Sequence, residues 1–247
     1  ARADLLKAQN KPEQVTPLLE AAVPRFGDSL ELIRALTASC AAEHSYDKAA
    51  VVLTRAMQQE RAPFDQRRLE LWMAEVQYMR GHVEQAANIY RKLADQNASD
   101  IYARRRLLAL ADETDDRLRV REWIEQIRLA EGENGWQWKY ELARWLYANE
   151  DFETVYPEIV SLLEQNLVNN PDDQDSRILL AGAYERANNI HLALSPYRQA
   201  LAVRPDDVEL IVAAVSLMYR AEEYRQAQQL LDRAVQQGVQ DLRLTKF

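Results

Sequence analysis

Cysteine is nearly missing from this chain, with Cys40 alone in 247 residues. One thiol can neither close an intrachain disulfide nor supply a zinc cluster, so both of those frameworks are excluded. Glycine is scarce as well. The 6 present are scattered and none precedes Lys-Ser or Lys-Thr, which leaves no phosphate-cradling loop. No serine stands in a G-x-S-x-G elbow, and His44, His82 and His191 form no H-E-x-x-H pair. No apolar run approaches the roughly 18 residues of a membrane span, and no charged-then-apolar leader opens the sequence, so no direct membrane insertion is expected. Charge of one sign is missing too. The net −8 is spread over mixed-sign stretches without a long block, and a nucleic-acid binder should be more basic, so no nucleic-acid partner is expected.

What is present is helix-forming sequence. Ala, Leu, Glu, Gln and Arg dominate, and most of the prolines fall between helical runs. The clearest stretch is Gln174 to Pro205. Leu180, Ala181 and Tyr184 fall at helical spacing, Asn188-Asn189 breaks the pattern, and a second run carries Ala193, Tyr197 and Ala200 before Pro205 closes it. In that register the stretch resembles the tetratricopeptide repeat, a helix–turn–helix unit of about 34 residues. The resemblance implies an all-α, right-handed superhelical solenoid of antiparallel helix pairs, whose concave surface is lined mainly by the first helix of each pair.

Taken in order, residues 1–29 contain one second helix (Val15, Leu18, Leu19, Ala22), preceded by a segment, Ala3 to Ala8, too short for a first helix. The stretch reads as a truncated repeat. The chain opens on Ala1-Arg2 without an initiator Met, as expected for part of a longer protein. Repeats follow at 30–66 and 67–100, where Gly81 occupies the turn and suits a positive φ. Cys40 falls on an inward helical position and should be buried.

Residues 101–135 and 136–173 are degenerate repeats. In the first, Val120 replaces a small residue and Asp112 to Asp116 (DETDD) replaces the turn. That acidic run lacks the mid-loop glycine of a calcium site and reads as a solvated turn. In the second, Val155 and Leu162 stand where alanine is usual, and Pro157 predicts a kink or a late helix start. Near-consensus repeats resume at 174–207 and 208–241, leaving 242–247 as a tail or the beginning of another helix. All of these are read as one continuous solenoid. Trp123, Trp136, Trp138 and Trp145 crowd the degenerate middle, where large side chains are expected to fill space that alanines would have let the helices close. A carbohydrate-binding or enzymatic site built from residues 101–170 is the competing expectation.

No catalytic constellation is legible, so an enzyme is not expected, and neither a metal nor a cofactor is called for. The informative face is the one the resemblance assigns to binding. Along it stand Tyr102, Arg105, Tyr140, Arg144, Tyr147, Arg186, Tyr219 and Arg220. Tyrosine and arginine are enriched at the energetic centres of interfaces. They predict another protein or peptide as partner, lying across Tyr102, Arg105, Tyr140, Arg144 and Tyr147. The chaperone-binding branch of the family clamps a carboxylate with Lys and Asn. The corresponding places here hold Arg34, Ala38, Arg68, Trp72 and Arg106, without either Asn, so that specificity is not expected. Arg104-Arg105-Arg106 point about 100° apart on a helix and do not form one patch. The resemblance suggests an arm of a bacterial envelope, secretion or polysaccharide-export assembly, placed in the periplasm or cytoplasm. Self-association through the repeat ends is the other possible contact.

Overall fold

The computed structural model describes residues 15–26, 29–111, 113–114, 116–239, 241 and 243–244. The short opening segment Ala3 to Ala8, Asp112 and Asp115 of the acidic turn, and most of 242–247 lie outside the described residues. The elements are helices throughout: α1 (Val15–Phe26), α2 (Leu30–Ala42), α3 (Tyr46–Met57), α4 (Pro63–Met79), α5 (Val83–Gln96), α6 (Ile101–Leu110), a 3-10 turn (Arg117–Arg119), α7 (Val120–Glu131), α8 (Gln137–Asn149), α9 (Phe152–Asn169), α10 (Gln174–Arg186), α11 (Ile190–Val203), α12 (Val208–Arg220) and α13 (Tyr224–Gln236). Among the described residues there is no strand, and no helix is long and apolar enough to cross a membrane. The chain divides into two compact units, residues 1–123 and 124–247, with the boundary inside α7.

In the first unit each helix from α1 to α6 packs on the next. Leu30, Ile33, Leu36 and Cys40 of α2 are buried with Ala49, Leu53 and Ala56 of α3 and with Leu69, Met73 and Val76 of α4. Cys40 is fully buried. Burial first, and then the charges of Glu43 and Glu20, push its thiol above the ordinary range, so it behaves as a small hydrophobe. In the second unit α8 to α13 pack consecutively in the same way. The small-residue slot of the second helices is filled by Ala49, Ala86, Ala193 and Ala227, all fully buried. Without side chains beyond Cβ there, helices can approach closely.

The degenerate stretch solves the same problem with larger residues. Val155 is only half-buried, and Ile159, Leu162 and Leu163 carry the burial of α9 instead. The helix begins at Phe152 and runs through Pro157 to Asn169, so the late start that the proline suggested does not occur. Trp123 and Trp138 are buried, as the space-filling reading expects. The Trp138 indole donates to the Gly132 carbonyl at 3.1 Å, and the Glu131 carboxylate accepts from the Trp138 backbone N–H at 3.0 Å. Gly135 permits that fold-back, because a Cβ there would lie 2.4 Å from the Glu131 Cβ.

The ends of the first helices recur with one chemistry. Ser29, Asp100, Asp173 and Asp207 each precede such a helix and accept a backbone N–H from its first turn. At the other end the chain closes with a bond from five residues on. Ser45 N–H reaches Cys40 O at 2.8 Å, His82 reaches Gln77 O at 2.9 Å, and Asn189 reaches Tyr184 O and Glu223 reaches Met218 O at 2.8 Å each. That geometry requires a left-handed residue just before the donor. His44, Gly81, Asn188 and Glu222 occupy it with φ of 54°, 80°, 59° and 62°. Gly81 does so without strain, whereas Glu222 pays the Cβ penalty of that region. Glu222→Gly is expected to stabilise the protein by about 1 kcal/mol, or roughly 2–4 °C in Tm. An unchanged or lower Tm by calorimetry would show that the Glu222 side chain contributes more than its strain costs.

Candidate functional site

In the first unit, α6 carries Tyr102 and Arg105 on its outward side. Tyr102 is exposed, and its hydroxyl donates to Glu75 on α4 at 3.1 Å. Arg105 is half-buried. Glu75 is a hub that sequence inspection passes over as one more surface carboxylate. It also accepts from the Tyr90 hydroxyl at 2.7 Å and from Arg106 Nη2 at 2.9 Å. Burial, and after it the hydrogen bond to Glu75, push the Tyr90 phenol well above its ordinary range, so it stays a neutral donor. Arg106 also stands 5.9 Å from the Tyr78 ring and 5.7 Å from the Tyr90 ring. Arg68 sits between Phe64 and Trp72, 5.8 and 5.3 Å from the ring centroids. Three of the positions that a carboxylate clamp would use, Arg68, Trp72 and Arg106, are therefore occupied by cation–aromatic packing.

The second unit holds the other six predicted residues. Tyr140, Arg144 and Tyr147 lie on α8, half-buried, while Arg186 on α10 and Arg220 on α12 are exposed. Arg144 pairs with the buried Glu141, Nη2 to Oε2 at 2.8 Å. Tyr147 and Arg186 meet directly. The guanidinium donates to the Tyr147 carbonyl at 2.7 Å and lies 5.1 Å from the Tyr147 ring and 4.3 Å from the Phe152 ring. Phe152 joins the cluster edge-on, its centroid 5.7 Å from that of Tyr147. Gly182 is the small residue opposite, since a Cβ there would be 3.8 Å from the Tyr147 hydroxyl.

Glu185 repeats the part of Glu75. It accepts from the Tyr197 hydroxyl at 3.1 Å and lies 3.5 Å from Arg220 Nη1, whose Nη2 donates to Asn188 at 2.8 Å. Burial first, then the Glu185 charge, push the Tyr197 phenol upward as well. Tyr219 turns to Tyr224, with centroids 5.6 Å apart. The structure thus joins Tyr147 with Arg186, ties Arg220 to Glu185, and leaves Tyr219 in a separate aromatic pair. The common device is a guanidinium held by a carboxylate or a ring before any partner arrives. Such side chains have little rotamer freedom left to lose on binding. Among the described residues no group of three or more His, Cys, Asp or Glu side chains is placed to hold a metal ion.

No protein-family model and no curated protein matches the sequence. Solved structures do match in fold. A structure described as a functional characterisation of Pseudomonas aeruginosa pilF superposes with a TM-score of 0.58 at 18% identity, over 72% of this chain and 79% of that one. The C-terminal part of a TPR repeat-containing protein from Cytophaga hutchinsonii gives 0.57 at 14% identity, over 99% and 97%. The APC/C hetero-tetramer Cut9–Hcn1 gives 0.64 at 11% identity, over 99% of this chain and 46% of that chain. Consecutive helix pairs, buried alanines at one recurrent slot and the shared closure of the first helices agree with these neighbours: the fold of this chain is that of the tetratricopeptide repeat.

Proposed function

We propose that this chain is a non-enzymatic interaction scaffold that binds another protein or peptide along the outward face of its first helices. The observation that carries the reading is the Tyr147–Arg186–Phe152 cluster opposite Gly182, a preformed cation–aromatic surface with a small residue beside it. Stacked guanidinium and phenol groups offer contact area at low ordering cost and a charge for carboxylates. An extended segment bearing acidic side chains fits that chemistry. The Cut9–Hcn1 hetero-tetramer provides a protein assembly with the same fold. Within this reading the chain is an arm of a larger bacterial envelope, secretion or polysaccharide-export assembly. The carbohydrate alternative has less support, because, of its four tryptophans, Trp123 and Trp138 are buried and Trp136 and Trp145 are half-buried.

The test is affinity capture with the wild type beside a variant carrying Arg105→Glu, Arg144→Glu and Arg186→Glu. A specific partner retained by the wild type and lost by the variant, with unchanged helicity by circular dichroism, is the expected result. Retention by both would remove this face from the interface.

A further inference from the structure

In the second unit a depression of about 460 Å³ lies against α9, and Lys139, Pro157, Val160, Ser161, Glu164 and Gln165 are among its walls. Lys139 is 4% exposed. Its ammonium lies 5.6 Å from the Trp138 ring centroid, and among the described residues it has neither an ion pair nor a hydrogen bond. A lysine enclosed to that degree ordinarily has a partner for its ammonium.

The other repeats show what the partner should be. Glu70, at the corresponding place on α4, is met by Lys92, 22 residues later, at 2.8 Å. Arg177 on α10 is met by Gln199, at the same interval of 22, at 3.1 Å. That interval from Lys139 arrives at Ser161, whose side chain is shorter and whose hydroxyl accepts from Gln165 at 3.1 Å. The depression occupies the place of the missing long side chain.

We propose that this depression is a binding site for a small aliphatic carboxylate, its head on the Lys139 ammonium and its hydrocarbon part along Pro157 and Val160. The charge calls for an anion, and the wall selects which. Glu164, held by the Tyr184 hydroxyl at 2.7 Å, contributes a carboxylate to the same wall. A dianion such as phosphate would face it, whereas a monoanion can keep to the Lys139 side. The volume lies within the range of small-ligand sites and exceeds what one carboxylate fills, leaving room for several methylenes. The site is independent of the interaction face, because Lys139 is not one of its residues.

Hexanoate is the probe, with hexanamide as its uncharged counterpart and a free-carboxyl tripeptide, Ala-Ala-Val, to separate a free acid from a chain terminus. Saturable shifts of the Ser161 and Gln165 amide resonances with millimolar hexanoate, absent with hexanamide, are expected. Lys139→Met should weaken that binding by about tenfold or more and leave the unliganded Tm equal or higher, since it removes a charge without a partner and keeps the apolar stem. Ser161→Gln supplies the missing partner and should raise Tm while blocking hexanoate, which keeps the test valid if Lys139→Met folds poorly. Binding of the tripeptide with similar shifts would assign the site to a chain terminus, and its failure beside hexanoate binding would assign it to a free acid. Equal binding of hexanoate and hexanamide, undiminished binding to either variant, or no hexanoate binding to the wild type would overturn the proposal.

Discussion

Asp100→Ala is expected to destabilise the first unit by about 3–5 kcal/mol, the scale seen when one partner of a buried ion pair is removed. The Asp100 side chain is 1% exposed and that of Arg67 is 33% exposed. The two meet through both oxygens, Nε to Oδ2 at 2.7 Å and Nη2 to Oδ1 at 2.8 Å. Oδ1 also accepts the Ala103 N–H at 3.1 Å, capping α6. One carboxylate therefore starts a helix and fastens it to Arg67 near the beginning of α4. Alanine removes the cap and the anion together. Asp100→Asn keeps the volume and an acceptor for the cap but loses the charge, so its cost should fall between alanine and wild type.

The pH dependence separates the ion pair from the cap. Burial pushes the Asp100 carboxyl upward, but the bonds from Arg67 and Ala103 and the positive charges of Arg67 and Arg104 outweigh it and hold the group below the usual carboxylate range. A carboxyl that is more acidic in the folded state contributes stability above its unfolded value, about 3.9, and loses it as pH falls through the lower folded one. The stability gap between wild type and Asp100→Asn should therefore be full near neutrality and shrink below about pH 4. Urea denaturation of both proteins at pH 7 and pH 3 measures it. A gap that does not narrow would mean that the charge of Asp100 contributes little and that the difference lies in hydrogen-bond geometry that the amide does not reproduce.

Such a node was not legible in the amino-acid sequence, although the helices around it were. Ala49, Ala86, Ala193 and Ala227 fill one recurrent slot in the second helices, and a small side chain recurring there has few physical explanations besides close helix contact. The bonds between helices depend on which long side chain reaches which neighbour. That follows from rotamers and small shifts of packing rather than from spacing along one helix. Glu75 and Glu185 looked like ordinary solvated carboxylates, yet each collects a tyrosine from the following helix and an arginine from a helix beyond it. Tyr102 and Arg220 lie on the expected face, but already joined to those carboxylates. The Lys139 vacancy is an intermediate case. Residue interval alone pairs Glu70 with Lys92 and Arg177 with Gln199, so Ser161 stands out as too short once the repeats are compared with one another. Pro157 suggested a kink or a late helix start, and the late start does not occur. The helical pattern around it is strong enough to carry α9 through a position with no backbone donor.

Arg104, Arg105 and Arg106 show how differently three consecutive identical residues can be used. Their divergence follows from helix geometry, but what each one meets does not. Arg104 is 5% exposed. Its guanidinium donates to the carbonyls of Ala94 at 3.0 Å, Asn97 at 3.1 Å and Asp100 at 3.0 Å, closing the end of α5 and the turn after it. Helix ends leave carbonyls without intrahelical donors, and buried ones need a donor from elsewhere. Arg104→Leu keeps much of the apolar stem and strands the Ala94 carbonyl, while the Asn97 and Asp100 carbonyls keep the backbone N–H groups of Asp100 at 2.9 Å and Arg104 at 3.4 Å. One unsatisfied buried carbonyl costs about 1–3 kcal/mol, and the two lost second bonds add to it, so a loss of about 2–3 kcal/mol is expected. Arg106→Leu would disconnect Glu75 from one of its donors and should cost less, because the Tyr90 hydroxyl remains at 2.7 Å. Arg105→Leu, on the face assigned to binding, should cost under about 1 kcal/mol. The order of urea midpoints for the three variants is the measurement. If Arg104→Leu proves as mild as Arg105→Leu, the Ala94 carbonyl finds another donor and Arg104 is buried for packing alone. If Arg105→Leu proves the most damaging of the three, that side chain belongs to the framework and not to the binding face.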